Sequence, residues 1–361
     1  MHPQNSFGCG AFPTYCLPIE PPLRMNSEKI LFALNLLASK FYKKKPDTNE
    51  AIQIVCVKWD EIGDMVNALH VFTAIKKEYP KGTLTVLCKP FVASLLSGIT
   101  EIDAVVTSLD QLPRKVEIWV ELRGTWQTLF RSTRSKVKYR RDRGSIRFEQ
   151  RGHQLHEQIT NWKIVEPLLS SKIPLRSVLK IGSESQNRAS EIIHSITFNF
   201  NEYVLIHPSA RSELRRWPAD RFGRLAKYIY QEFQLKVLVI GTQEEQEILR
   251  EVVEHSENTA TAYISRESLT VFASIIQQCV LFVGNESGPL QIADALGKKS
   301  ISLFGPGVKD VFYPQTSGSK IFHEVLECNP CDQVHCMHAH NPCIARIEEL
   351  SVMSAVDELL K

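Results

Sequence analysis

Twice along this chain, apolar runs of strand length alternate with helix-length segments, and that alternation confines it to parallel βαβ units. The first series runs through residues 52–57, a helix over about 64–79, then 83–87, 104–106 and 117–122. The second restarts at 203–207 and continues through a helix over 219–233, a strand at 236–240, a helix near 244–255, an apolar run at 279–283, a helix over 290–296 and a strand at 300–304. At 361 residues the chain exceeds what one hydrophobic core usually serves, so each series is assigned its own α/β domain. The expected divisions are an N-terminal extension (1–50) with one amphipathic helix, a first domain (51–175), a second domain (176–345) that includes a Cys-rich stretch (328–343), and a C-terminal helix (346–361). A Ser- and Lys-bearing segment, 170–186, containing Pro174, suits the linker. In the extension, Ile30, Leu31, Ala33, Leu34, Leu37 and Phe41 recur at near-helical spacing ahead of Lys43, Lys44 and Lys45.

Composition excludes several classes. Hydrophobic residues make up 43% and charged residues 23%, and no stretch approaches the uninterrupted apolar length of a membrane-spanning helix. The first 24 residues lack the basic start, apolar run and small-residue cleavage site of a signal peptide, so a cytoplasmic protein is expected. A net charge of +3 does not point to nucleic acid as a global partner. Nine cysteines argue against a disulfide framework and for reduced thiols.

Three post-strand motifs carry chemistry. In the first, Lys58 to Asn67, Gly63 permits a tight turn and Asp64 stands at the carboxyl edge of the sheet, where open α/β folds place ligands. Asp64 is placed there as a base or as a residue capping helix amides, and the Gly-Asp pair alone favours the cap. The second motif spans His207 to Phe222, in which Ser209, Arg215 and Arg216 offer donors suited to phosphate oxygens, Pro218 fits a helix first turn and Trp217 is read as core. The third, Val283 to Ala293, breaks a strand into a Gly-containing turn and a helix. Its amides suit a diphosphate, Ser287 adds a hydroxyl, Gly288 allows close approach and Glu286 suits a sugar hydroxyl. A plain capped strand-to-helix turn accounts equally well for this motif alone.

Taken in order, Gly63-Asp64, His207-Pro208 through Trp217-Pro218, Glu286-Ser287-Gly288-Pro289 and Phe304-Gly305-Pro306 resemble the heptosyltransferases of glycosyltransferase family nine, over roughly residues 52–350. The resemblance implies a GT-B fold: two Rossmann-like α/β domains facing a cleft, acceptor on the first and ADP-heptose on the second. It makes Asp64 the general base and Lys58 a cation facing the site. Ser209 and Arg215 would face the diphosphate, Glu244 or Glu245 the adenosine, and Glu286, Ser287 and Gly288 the nucleotide sugar. Two positions depart from the family pattern: Glu286 stands where Asp is common, and Gln291 where His is common. Arg215 stands where Lys is common, in a loop one residue longer. The implied reaction is inverting heptosyl transfer onto a lipopolysaccharide inner-core acceptor; with no DxD-like pair near these motifs, no metal cofactor is required. The alternatives are a protein acceptor of autotransporter type, another nucleotide sugar, or a sugar-nucleotide-binding protein without catalysis.

A basic run follows Glu121 to Gly124: Arg131, Arg134, Lys136, Lys138, Arg140, Arg141, Arg143, Arg147 and Arg151, with Tyr139 and Phe148 interleaved. A solvated loop is the default for such a run, and nucleic acid would also suit it. The resemblance favours an anionic glycolipid acceptor, contacted by Arg123, Arg140, Arg141 and Arg143 with transient contact to the inner-membrane surface, and no nucleic-acid partner. His156 lies just downstream, as an acceptor contact or a satisfied surface histidine. Near the C-terminus, Cys328, Cys331, Cys336 and Cys343, with His335, His338 and His340, suit a structural zinc or iron ion or a set of free buried thiols.

Overall fold

The first apolar series builds β1 (Gln53–Lys58), β2 (Thr83–Cys88), β3 (Ala104–Val106), β4 (Ile118–Arg123) and β5 (Tyr139–Asp142), in the spatial order β3-β2-β1-β4-β5. The second builds β6 (Tyr203–His207), β7 (Lys236–Gly241), β8 (Ala260–Ile264), β9 (Leu281–Asn285), β10 (Ser300–Phe304) and β11 (Lys320–His323), in the order β11-β10-β9-β6-β7-β8. All neighbouring strands within the two sheets pair in parallel. The computed structural model describes residues 27–144, 146, 155–197, 202–329, 331 and 333–361. Most of the N-terminal extension and, from the basic run, Arg147, Phe148 and Arg151 lie outside the described residues.

Chain order reverses between β1 and β4 in the first sheet and between β6 and β9 in the second. At such switch points adjacent loops leave in opposite directions and open a crevice at the carboxyl ends of the strands. The three motifs follow β1, β6 and β9, so both crevices are lined by them.

The central strands are buried on both faces: Val55, Cys56, Val57, Val204, Leu205, Ile206, Phe282 and Val283 are all fully enclosed. The edges are less apolar, and three edge strands escape the periodicity of the sequence. β5 reads Tyr-Arg-Arg-Asp, β8 is half-exposed, and β11 is partly exposed along its length. β5 corrects the expectation of a solvated basic loop. Arg140 is buried within the first domain, bonded to Glu121, Ser132 and Asn35, and therefore does not face an acceptor. The helix expected over 64–79 is two helices, Ile62–Val66 and Leu69–Glu78. The break falls at Asn67, whose amide nitrogen donates to Gly63 O (2.9 Å) and whose carbonyl accepts from Asn161 Nδ2 (3.0 Å).

The two units share one apolar body, since Val92, Leu95 and Leu96 of the first pack in the same buried cluster as Val271, Phe272 and Ile275 of the second. Behind the second sheet a separate cluster joins Trp217, Phe222, Leu225 and Ile229 to Val352 and Val356 of the C-terminal helix Glu349–Leu360. Trp217 anchors it: fully buried, edge-on to Phe222 at 5.0 Å between ring centroids, with its indole N–H donating to Ile347 O (3.1 Å). Its backbone N–H donates to Asn285 Oδ1 (3.0 Å), which ties the loop after β6 to the end of β9. Trp217→Ala would empty this volume and remove the indole donor from the Ile347 carbonyl, which keeps Arg221 Nη1 at 2.8 Å. Denaturant unfolding is expected to show a loss of about 3–5 kcal/mol, the usual range for a buried large aromatic.

Candidate active site

The carboxyl ends of the two sheets face each other across a cleft of about 450 Å³ lined by Glu61, Ile62, Gly63 and Asp64 from the first unit, and by Arg211, Ser212, Arg215, Glu286, Ser287, Gly288, Pro289, Gln291, Phe312 and Gln333 from the second. Two glycines set its width. A Cβ on Gly63 would stand 3.1 Å from Gln291 Cγ, and one on Gly288 would stand 3.1 Å from Ile62 Cβ, so the turn after β1 and the start of helix Gly288–Ala295 meet where neither carries a side chain. Gln291 fastens the junction: its Oε1 accepts from Asn67 Nδ2 (2.9 Å) and its Nε2 donates to Phe312 O (2.7 Å). An amide supplies the donor and the acceptor that this position uses.

Asp64 is not the helix cap. Glu61 occupies that position, and Asp64 is the third residue of the helix, in its first turn, half-buried, with its carboxyl toward the cleft. Burial pushes that carboxyl up to about 6. The nearby Asp60 and Glu157 carboxylates add to the rise, while the cations Lys58 and Arg143 oppose it. A carboxylate that takes up a proton near neutrality, in a cleft, is suited to general-base chemistry. Lys58 departs from its expected place: fully buried at the end of β1, it pairs inward with Glu157 (3.1 Å) and Asp60 (3.4 Å) and does not line the cleft.

On the second unit, Glu286 is buried under Gly307, where a Cβ would stand 2.0 Å from Glu286 Oε2. Its carboxyl is raised by burial and lowered in part by Arg215, whose Nη1 lies 3.7 Å from Oε1. Glu286 Oε2 and Ser287 Oγ are both buried without a hydrogen-bond partner, which leaves an acceptor and a hydroxyl beside the cleft for a ligand to satisfy. Arg215 Nε donates to Gln333 Oε1 (2.7 Å), and Gln333 holds a left-handed backbone, φ 62°. Gln333 and Phe312 are not evident from the sequence: Gln333 sits inside the Cys-rich stretch, where cysteines and histidines are the candidate ligands.

Ser209, Glu244 and Glu245 stand apart from the cleft lining, at the carboxyl ends of β6 and β7. Burial would raise the Glu245 carboxyl, but His207 and a Ser209 hydrogen bond hold it at about 2. Glu244 is exposed. Among the arginines, Arg143 spends both terminal nitrogens on Glu157 (2.6 and 2.7 Å), and Arg141 Nε donates to Ile164 O (3.1 Å). Arg123 and Arg143 line a small cavity of about 40 Å³ below helix Ser27–Phe41. His156 is buried rather than on the surface. It caps helix Glu157–Val165, and its Nε2 lies 3.0 Å from Tyr313 O of the second unit.

Cys328, Cys331, Cys336 and Cys343 line one cavity of about 400 Å³ as free thiols, and burial raises the Cys343 thiol. Among the described residues, no three His, Cys, Asp or Glu side chains are placed to hold one metal ion.

The sequence profile of glycosyltransferase family 9 (heptosyltransferase) matches residues 136–341, more than half of the chain. Lipooligosaccharide heptosyltransferase 2 of Campylobacter jejuni is 26% identical over 168 residues, 45% of this chain and 52% of that protein; the chain thus spans about half the length of that curated relative in the match. The crystal structure of a family 9 glycosyl transferase from Veillonella parvula superposes with a TM-score of 0.75 at 17% identity, covering 88% of this chain and 99% of that one. The Escherichia coli ADP-heptose lps heptosyltransferase II gives 0.69 at 16% identity, covering 86% and 98%. The fold is therefore GT-B, as the order of motifs implied.

The raised carboxyl of Asp64 has a consequence for stability. Below the unfolded value near 3.8 it is protonated in both states and costs nothing. As pH rises from there through about 6, ionisation opposes folding, and above 6 the whole penalty applies. Asp64→Asn is therefore expected to stabilise the protein at pH 8 by on the order of 1–2 kcal/mol after allowance for solvent screening, and to have no such effect at pH 3. Thermal unfolding at the two pH values measures the difference, and equal effects at both would disprove the assignment.

Proposed function

Because the chain belongs to glycosyltransferase family 9, the heptosyltransferase family, we propose that it transfers heptose from ADP-heptose to an anionic lipopolysaccharide inner-core acceptor, with inversion at the anomeric carbon. The observation that carries this reading is the pair of unpartnered buried atoms, Glu286 Oε2 and Ser287 Oγ, beside the same cleft that holds a carboxyl raised to about 6. A sugar bearing several hydroxyls would satisfy the pair on one side of the cleft while Asp64 stands opposite. The name of the structurally similar Escherichia coli enzyme carries the same donor.

In this mechanism Asp64 takes the proton of the acceptor hydroxyl. The freed oxygen attacks the anomeric carbon from the face opposite the diphosphate, and ADP leaves. A positioned base is typically worth about 10²- to 10⁴-fold. Arg215 and the amides that open helix Gly288–Ala295 would stabilise the charge that develops on the departing diphosphate, so the reaction is proposed to need no divalent ion. Ser209, Glu244 and Glu245 would border the adenosine and diphosphate. Arg123 and Arg141 are assigned to the anionic acceptor. No helix among the described residues is long and apolar enough to cross a membrane. Contact with the acceptor is proposed at the cytoplasmic face of the inner membrane.

Calorimetric titration without metal is expected to show binding of ADP and ADP-heptose and none of UDP-glucose or GDP-mannose; preference for UDP or GDP would overturn the donor assignment. In the matching transfer assay, Asp64→Asn should lose at least about 10²-fold in kcat with donor affinity nearly unchanged. Arg215→Ala should instead weaken ADP by about 1.5–3 kcal/mol, the usual worth of a charge-assisted hydrogen bond. Unchanged ADP affinity in that variant would remove Arg215 from the donor site.

A further inference from the structure

We propose that Glu157 is a positioning residue for Asp64: clamped between two cations, it keeps both from pairing with the base. The proposal rests on the heptosyl-transfer reading for its catalytic consequence and on the geometry of this chain for the rest.

Glu157 opens helix Glu157–Val165 and is buried, as is Lys58. A buried ammonium requires a partner, and Lys58 Nζ finds Glu157 Oε1 at 3.1 Å and Asp60 Oδ2 at 3.4 Å. The same carboxylate accepts both terminal nitrogens of Arg143, through Oε1 at 2.6 Å and Oε2 at 2.7 Å. Two cations, Lys58 and Arg143, thus face two carboxylates, Glu157 and Asp60, and the cluster is neutral before Asp64 is counted. Asp64 then ionises as an odd negative charge in a desolvated, balanced setting. Its other charged neighbours face it across the cleft: Arg211, Arg215 and Glu286 from the second unit, and Glu61 from its own turn.

Without the Glu157 charge the cluster carries an excess positive charge. Either cation can then turn to Asp64, lowering its affinity for a proton and drawing its carboxyl from the cleft. Glu157 does not line the cleft, so it acts through these side chains and not on substrate. Its helix start is held from the second unit as well, since His156, the preceding residue and the cap, lies against Tyr313 with ring centroids 4.7 Å apart.

The test is a carbon-13 NMR titration of aspartate carboxyls in the full-length protein, with Asp64→Asn assigning the Asp64 signal. Wild type is expected to titrate near pH 6 and Glu157→Gln at distinctly lower pH; an unmoved midpoint in folded Glu157→Gln would overturn the proposal. Should Glu157→Gln fail to fold, Arg143→Gln, altered at a cation less enclosed than Lys58, removes one cation. Its Asp64 midpoint is expected above that of wild type, and an unmoved midpoint overturns the proposal equally. In the transfer assay, Glu157→Gln should lose about tenfold or more in kcat with KM for ADP-heptose nearly unchanged, and its acidic limb should follow the NMR midpoint. A merely structural role would lower activity without moving that limb. If wild type transfers no heptose while the midpoints shift as stated, the functional reading fails and the role of Glu157 stands; the opposite pattern separates them the other way.

Discussion

Everything in the cleft depends on how closely the turn after β1 approaches the start of helix Gly288–Ala295. Gly63 and Gly288 face each other without side chains, and Ile62 and Gln291 occupy the space that a Cβ on either glycine would enter. The approach sets Asp64 opposite Glu286 and Ser287 around one cavity. The Asn67–Gln291 hydrogen bond fixes the register of the two surfaces, because each amide is oriented by a second, backbone partner: Gly63 O for Asn67 and Phe312 O for Gln291. Packing alone would bring the surfaces together; the paired amides select one alignment.

Charge burial follows the same geometry. Beside the cleft, Lys58, Glu157 and Arg143 exchange solvent for one another, and deeper in the first domain Arg140 and Glu121 do likewise. Buried ion pairs of this kind seldom add net stability, since desolvation offsets most of the attraction. Their value here is directional. Arg140 lets β5, a strand of charged residues, close the edge of a parallel sheet, and Gly124 gives the Glu121 carboxylate its room, because a Cβ there would overlap Oε1. The cluster around Lys58 instead leaves one carboxyl, Asp64, imperfectly compensated, and a desolvated carboxyl with mixed neighbours keeps its proton to higher pH.

Most of the fold was legible in the sequence. Central strands of parallel sheets are covered on both faces, so they appear as unbroken apolar runs, and β1, β2, β4, β6, β7, β9 and β10 all announced themselves within two residues of their ends. The edge strand β3 was legible as well, but β5, β8 and β11 were not, because β8 and β11 bury only part of their surface and β5 carries charged residues whose burial rests on tertiary partners. The split of the helix over 64–79 was also hidden, as it turns on Asn67 bonding to residues far along the chain. In the site, the resemblance carried by the ordered motifs assigned Asp64, Arg215, Glu286, Ser287 and Gly288 to one cleft, and all five line it. It misjudged Lys58 and Arg140, for side-chain type does not reveal whether a cation points to solvent or to a buried carboxylate.

The sequence by itself determined two parallel α/β units, the loops that meet between them and the chemical types those loops offer, because periodicity and turn residues are local properties of the chain. Tertiary structure decided which charges neutralise one another, that Gln333 and Phe312 complete the cleft, and that Asp64 holds a proton to about pH 6. Those outcomes depend on desolvation and on distances between side chains as near in the chain as Arg143 and Glu157 and as far apart as Asp64 and Gln333, and no local pattern encodes either.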